Sequence, residues 1–272
     1  MADPSVDPSS YRIDPTTFGG LATIATDADG GLDKDTAKPL MRKLNRRLEE
    51  LQENLYAHGK DRLLVVLQAT DTGGKDGTIR AVFDRTNPQG VHVASFKKPT
   101  AKELGHDYLW RIHHHTPEKG HITIFNRSHY EDVLIVRVRN FVDEATWRRR
   151  YEHIRNFEQL LVDEGTTILK FFLHISKDTQ RQRLQDRIDH PEKHWKFDFN
   201  DLEERKLWDD YQLAFADMMT ETSTAEAPWF AIPADRKWYR NLLISQQLVN
   251  SLEKIAGDRF PPNPELKGVV IE

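Results

Sequence analysis

No cysteine occurs among the 272 residues, which excludes disulfides, thiolate metal sites and cysteine nucleophiles together. An excess of charge of one sign is missing too. The 39 Lys and Arg stand against 43 Asp and Glu, a formal net charge of −4, so the whole molecule does not hold nucleic acid by electrostatics alone. Long apolar runs are absent, none nearing the ~18 residues that cross a bilayer, and no membrane partner is expected. The opening MADPSVDPSSYRIDP lacks the basic-then-apolar order of a secretory leader, and a cytoplasmic enzyme is the expectation. Glycine is sparse at 14 residues, so its clustering in one place is informative.

That place is LLVVLQATDTGGKDGTIR, residues 63–80. The run from Leu63 to Leu67 reads as a buried strand. Gly73, Gly74 and Gly77 surround Lys75 and Asp76, and Thr78-Ile79-Arg80 open a helical pattern. Strand, glycine-rich turn and helix start make an anion cradle, with backbone N–H groups converging where the helix dipole favours negative charge. The phosphate-binding set is therefore Gly73, Gly74, Lys75, Asp76, Gly77 and Thr78. Against the pattern G-x-x-x-x-G-K-[ST], Gly74 and Lys75 fit, Ala69 replaces the first glycine, and Asp76 occupies the hydroxyl position.

Charge is uneven around this loop. From Lys75 to Arg127 there are nine Lys and Arg against five Asp and Glu, and six of the twelve histidines. Such a footprint suits an anionic ligand larger than one phosphate; a solvated basic face is the plainer reading.

Residues 1–34 show no periodicity and are expected to form a flexible arm, a tail or a loosely docked segment. A helix is expected from Thr36, with Leu40, Leu44, Leu48, Leu51 and Leu55 on one stripe and Gly59 as its stop. Strands follow at Leu63–Leu67, Val91–Ser95, His121–Asn126, Thr167–Ile175 and Pro228–Pro233. Helices are expected at about 101–115, Glu144–Asp163, Lys177–Ile188 (Leu184 and Ile188 packing), from Asn200 to about Met219 capped near Asn200 with Glu203, and Lys237–Ile255. Val133–Val138 fits either a strand or a helix start. His113-His114-His115 cannot face one ion, because consecutive helical residues point about 100° apart. Alternating strands and helices predict an α/β fold, a parallel sheet flanked by helices on both faces. One domain over 35–256 is expected, with a tail at 257–272.

Ligands of such sheets bind at the carboxyl ends of the strands, here the phosphate loop, Ser95 to Lys98, and Asn126 to Arg127. Asn126 stands where many phosphate-loop enzymes carry a metal-binding acid. Asp71 can supply that carboxylate, with Asp76 a weaker candidate; Mg²⁺ needs only one or two when phosphate oxygens and water complete its octahedron. No histidine has a recognisable partner as general base, and an anionic phosphate acceptor needs none. Arg127, Arg183 and Arg187 are then charge stabilisers for a transferring phosphoryl group; for Arg183 and Arg187 surface pairing with Asp186 or Glu192 is the alternative.

QATDTGGKDGTIR, the NPQG turn, SFKKPTAKELGHDYLWR, FNRSHYEDVLIVRV, HPEKHWKF and APWFAIPADRKWYRN together resemble the polyphosphate kinase 2 family over about residues 36–256. Ala69 and Asp76 are at home in that family. The resemblance implies a P-loop kinase fold with a helical lid module at about 177–200, and Mg²⁺, with Mn²⁺ as a substitute. It implies transfer of the terminal phosphoryl group of inorganic polyphosphate to AMP or ADP, reversibly. NRSHYEDV is similar to the subgroup called class III, which accepts both nucleotides; other subgroups tend to have Asp-Arg-Ser at Asn126-Arg127-Ser128. The family's catalytic positions map onto Asp71 (also the metal ligand), Lys75, Arg127, Arg183 and Arg187, and acceptor-nucleotide positions onto Asn126 and Glu131. Arg80, Lys97, Lys98, Lys102 and Arg111 are the expected polyphosphate track. AMP, ADP and ATP are the expected small partners, with homodimer or homotetramer assembly. An ATP-dependent small-molecule kinase on the same fold, or a non-catalytic nucleotide- or polyphosphate-binding protein, remain the alternatives.

Overall fold

The computed structural model describes residues 6–257 and 263–271. Five strands, β1 (Arg62–Gln68), β2 (Val91–Ser95), β3 (Ile122–Asn126), β4 (Thr166–His174) and β5 (Trp229–Pro233), form one sheet in the order β2-β3-β1-β4-β5. Every pairing is parallel. The helices are α1 (Lys34–His58), α2 (Lys75–Val82), α3 (Ala101–Leu104), α4 (Trp110–His113) and α5 (Ile135–Val138), then α6 (Glu144–Asp163), α7 (Lys177–Asp189), α8 (Asn200–Lys206), α9 (Trp208–Thr222) and α10 (Lys237–Ala256).

The alternation of side chains along each strand divides the core into two layers. Leu63, Val65 and Leu67 of β1 face α1 and α10, where Leu48, Leu51, Leu55, Leu242 and Leu248 complete one cluster. Leu64 and Val66 face α6 and α9, against Ile154, Phe157, Phe215 and Met218. Because both faces are covered, β1 reads as an unbroken apolar run rather than an alternating one. α1 starts where Asp33 Oδ1 accepts from the Thr36 amide at 2.7 Å and ends at Gly59, left-handed at φ 58°. Among the described residues no helix is long and apolar enough to cross a membrane.

Several expectations are corrected. Residues 6–33 are anchored at a few points on the sheet edge rather than free: Arg12 bridges Phe230 antiparallel, the Ile13 amide donates to Trp229 O at 2.8 Å, and Ile13 and Leu21 are buried. The apolar residues of this arm cover the otherwise open side of β5, which composition alone does not reveal. Residues 1–5, 258–262 and 272 lie outside the described residues. The single helix at 101–115 is two short ones, because Asp107 Oδ1 accepts from the amides of Leu109 and Trp110 and starts a new turn. The helix from Asn200 is α8 followed by α9, divided by a tight turn at Leu207, whose amide donates to Glu204 O. Asn200 caps neither: its own amide donates to Asp198 Oδ1 and its side chain to Glu204 Oε1. Ile188 is exposed rather than packed. Val133–Val138 resolves into the end of a 3-10 turn (His129–Val133) and α5.

Candidate active site

The phosphate loop leaves β1 at Gln68 and enters α2 at Lys75. Its shape depends on glycine at two points. Gly74 sits at φ 104°, and a Cβ there would collide with Arg240 Nη1; at Gly73 it would collide with Ala69. The Gly73 amide donates to Thr70 O at 3.0 Å, closing the turn. Thr72 is also left-handed, at φ 61°. Such conformations persist only where surroundings hold them. Arg183 does so here, its Nη1 donating to Thr72 O and Gly73 O and its Nη2 to Ala234 O and Asp235 O.

Lys75 folds back over the loop, Nζ 3.4 Å from Ala69 O. Burial lowers its pKa first and the Arg127 guanidinium adds to this, while Asp71, Glu131 and Asp76 oppose both. Arg127 follows β3 at φ 61° and donates from Nη2 to Asp71 Oδ1 at 3.0 Å. Burial raises the Glu131 carboxyl, against the pull of Arg127 and Lys75. Asn126 Nδ2 donates to Asp76 Oδ1 at 2.7 Å. Thr78, expected at the phosphates, is wholly buried and gives its hydroxyl to Gly74 O at 3.1 Å.

The segment carrying Arg127 and Glu131 is anchored from below. Ser128, His129 and Tyr130 are 0% exposed. Lys170 Nζ, in the middle of β4, donates to Glu158 Oε2 at 2.6 Å, to Tyr130 OH at 2.9 Å and to Thr222 O at 2.7 Å. Tyr130 OH in turn donates to Glu158 Oε1 at 2.7 Å. A buried pair so fully hydrogen-bonded fixes its surroundings even where it adds little net stability.

Above the loop lies a cavity bounded by Asp71, Arg127 and Glu131 below and by Asp201, Trp208 and Tyr211 above. Its roof includes Gln180, Asp198 and Asn200 from the 177–200 stretch expected as the lid and continues past it into α8 and α9. Arg187 Nη1 donates to Lys196 O at 2.9 Å and to Asp201 Oδ2 at 3.0 Å. Neither Arg183 nor Arg187 pairs with Asp186 or Glu192. Asp201 is pushed up to about 6 by burial and by the Asp71 carboxylate, with Arg187 pulling the other way.

Of the expected polyphosphate track, Arg80, Lys97, Lys98 and Lys102 are exposed. Arg111 is not a free cation: it is 7% exposed, donates to Lys97 O at 2.8 Å and lies over the Phe96 ring. It pins the backbone on which the exposed lysines stand. The three histidines diverge, His113 against Phe157, His114 against Trp110 and His115 against Phe96. Sequence reasoning missed Asp201 and Arg240. Arg240 had one signal, a charge within the apolar stripe of α10 beside Tyr239, Leu242 and Leu243.

Among the described residues no three His, Asp or Glu side chains form a cluster able to hold a metal ion by themselves. Asp71, facing the cavity beside the loop, fits an ion of the Mg²⁺ kind that arrives with phosphate oxygens.

A parallel sheet, a glycine-rich loop with its lysine at a helix N-terminus, and arginines converging on the loop define a phosphoryl-transfer enzyme of the P-loop kinase class. A sequence profile described as polyphosphate kinase 2 matches residues 31–259. The chain is 56% identical to the AMP/ADP-polyphosphate phosphotransferase of Meiothermus ruber, over 96% of this chain and 99% of that protein. It is 48% identical to the ADP-polyphosphate phosphotransferase of Rhodopseudomonas palustris, over 82% of this chain and 81% of that one. The crystal structure of polyphosphate kinase 2 from Arthrobacter aurescens superposes with a TM-score of 0.90 at 42% identity, covering 94% and 92% of the two chains. The chain belongs to the polyphosphate kinase 2 family and is a phosphotransferase.

Proposed function

We propose that the chain moves the terminal phosphoryl group of inorganic polyphosphate onto AMP and ADP. The observation that carries this reading is the Arg127–Asp71 pair at 3.0 Å beside Lys75 and the loop glycines. It sets one fixed cation and one metal-capable carboxylate beside an anion cradle. The donor's terminal phosphate occupies the loop N–H groups, with Lys75 moving off Ala69 O to reach it. Arg127 faces the transferring group, and the acceptor nucleotide lies in the cavity under α8 and α9 near Glu131. The attacking atom is a phosphate oxygen that carries no proton, so alignment and neutralisation suffice and no general base is required.

Mg²⁺ or Mn²⁺ would be held by Asp71 together with phosphate oxygens, and would supply neutralisation of charge on the bridging oxygens. Arg187 and Asp201 tie α7 to α8 across the roof, so that lid movement and access to Arg127 are linked. A cytoplasmic homodimer or homotetramer belongs to the same reading.

The experiment is incubation with AMP, Mg²⁺ and either polyphosphate or ATP, with nucleotides resolved by chromatography. Polyphosphate should give ADP and then ATP. Turnover with ATP alone would overturn the choice of donor, and turnover with neither would overturn the choice of acceptor. Light scattering of the purified chain tests the assembly.

A further inference from the structure

Arg240 is one of the largest side chains buried almost completely, at 1% exposure. A guanidinium taken out of water ordinarily meets a carboxylate, since an unpaired buried charge is costly. Arg240 meets none among the described residues. Its Nε and Nη2 donate to the neutral Asn241 Oδ1 at 3.0 and 2.8 Å, and its Nη1 lies 3.5 Å from Gly73 O. Its charged neighbours are mostly cations. Arg183 also donates to Gly73 O, and both Arg183 and Arg240 depress the Lys237 amine, after burial as the leading cause. The nearby carboxylate, Asp235, is already engaged by the Ser176 amide and the Thr26 hydroxyl. Burial, and then Arg183, pull the Arg240 pKa down to about 9, still high enough for the group to stay charged at neutral pH.

The location decides what could balance this charge. The guanidinium lies against Gly74 and Gly77: a side chain at Gly74 would strike Nη1, and a Cβ at Gly77 would lie 3.9 Å from Nη2. Arg240 and Arg183 thus occupy the carbonyl side of the loop. The Gly73 carbonyl, drawn toward both arginines, leaves the opposite edge of its peptide, the Gly74 N–H, turned the other way. The α2 dipole adds positive potential at the same spot.

We infer that Arg240 is a positioning residue for the donor phosphates: a cation built into the floor of the phosphate loop, balanced by the polyanion when it binds. The inference rests on the donor reading above and adds to it. Lys75 is the mobile charge that touches the phosphates, whereas Arg240 is a fixed charge that acts through the loop backbone. Unliganded protein carries an unbalanced charge there, and the donor relieves it.

The test compares wild type with Arg240→Met, which keeps the volume and removes the charge, and with Arg240→Lys, which keeps the charge. Thermal unfolding is followed without ligand and with tripolyphosphate in the absence of metal. At a ligand concentration of about a hundred times Kd, wild type should rise by about 5 °C. The Met variant should show half that shift or less, and the Lys variant most of it. Kinetically, the Met variant should need at least tenfold more polyphosphate for half-maximal rate, with KM for AMP within threefold of wild type. A Met variant with a full tripolyphosphate shift and an unchanged polyphosphate KM overturns the inference. If the Met variant fails to fold, Arg240→Gln carries the same comparison. A wild type that neither turns over polyphosphate nor is stabilised by tripolyphosphate would overturn the donor reading itself, a separate result.

Discussion

Asn126 and Asp76 are joined by a 2.7 Å hydrogen bond from amide to carboxylate, which fastens the end of β3 to the first turn of α2. The amide is the donor this position requires. A carboxylate at 126 would set a second negative charge against Asp76 at hydrogen-bonding distance with no donor between them. We predict that Asn126→Asp lowers the melting temperature in metal-free buffer by a few degrees and that millimolar Mg²⁺ restores it. Asp71→Asn should raise the Mg²⁺ requirement, and Asn126→Asp should partly rescue it. Scanning calorimetry and activity titrated against Mg²⁺ check this. A double variant no better than Asp71→Asn would show that position 126 cannot hold the ion.

Lys75→Ala should abolish transfer while leaving the fold intact. The loss should be on the order of 10³-fold, as for other removed electrostatic stabilisers. Circular dichroism and single-turnover assays report the two halves of the claim, and near-normal turnover would refute the role of the loop lysine.

Lys97, Lys98 and Lys102 are exposed on the segment pinned by Arg111. Replacing the three lysines by alanine should weaken long polyphosphates more than short ones and leave AMP nearly untouched. Moderate salt should reproduce this in wild type, since exposed charges are screened over ~8–10 Å at physiological strength. Donors of graded length, assayed at two salt concentrations, supply the measurement. Equal losses at every length would move the track elsewhere.

Asp201 has a folded-state pKa of about 6 against an ordinary 3.8. The folded protein therefore holds this proton more tightly than the unfolded chain. Its contribution to stability is present at low pH and is lost as pH rises from about 4 to about 6. Asp201→Asn removes that loss, and should gain up to about 2 kcal/mol relative to wild type between pH 4 and pH 7. Urea unfolding at several pH values gives the curve. A constant difference across that window would mean that Asp201 does not titrate there.

Much of the fold is legible because its signals are local. The run Leu63–Leu67 is apolar on every residue because both faces of β1 are covered, and the glycines after it have no other use. α6 was readable to its ends because Asp143 caps the Thr146 amide at 2.7 Å and its core stripe is regular. The failures have a common cause in partners far along the chain. Arg111 reads as a surface cation until Lys97 O accepts from it. Ile13 and Leu21 read as loop residues until β5 lies beside them. Lys170, a charge inside an apolar strand, can be assigned only when Glu158 and Thr222 O come within reach.

The bracing of the phosphate loop bears on how the molecule is made. The loop occupies the first third of the chain, yet the side chains that clasp its carbonyls come 110 residues later at Arg183 and 167 residues later at Arg240. β1 must also await β4 before both its edges are paired. A nascent chain on the ribosome therefore exposes the glycine-rich segment long before the groups that shape it have been synthesised, and contacts of such long sequence separation close late. The last of these braces arrives with α10, so a chain cut short before it carries the full phosphate-loop sequence without the Arg240 that lies against Gly73 O and Gly74.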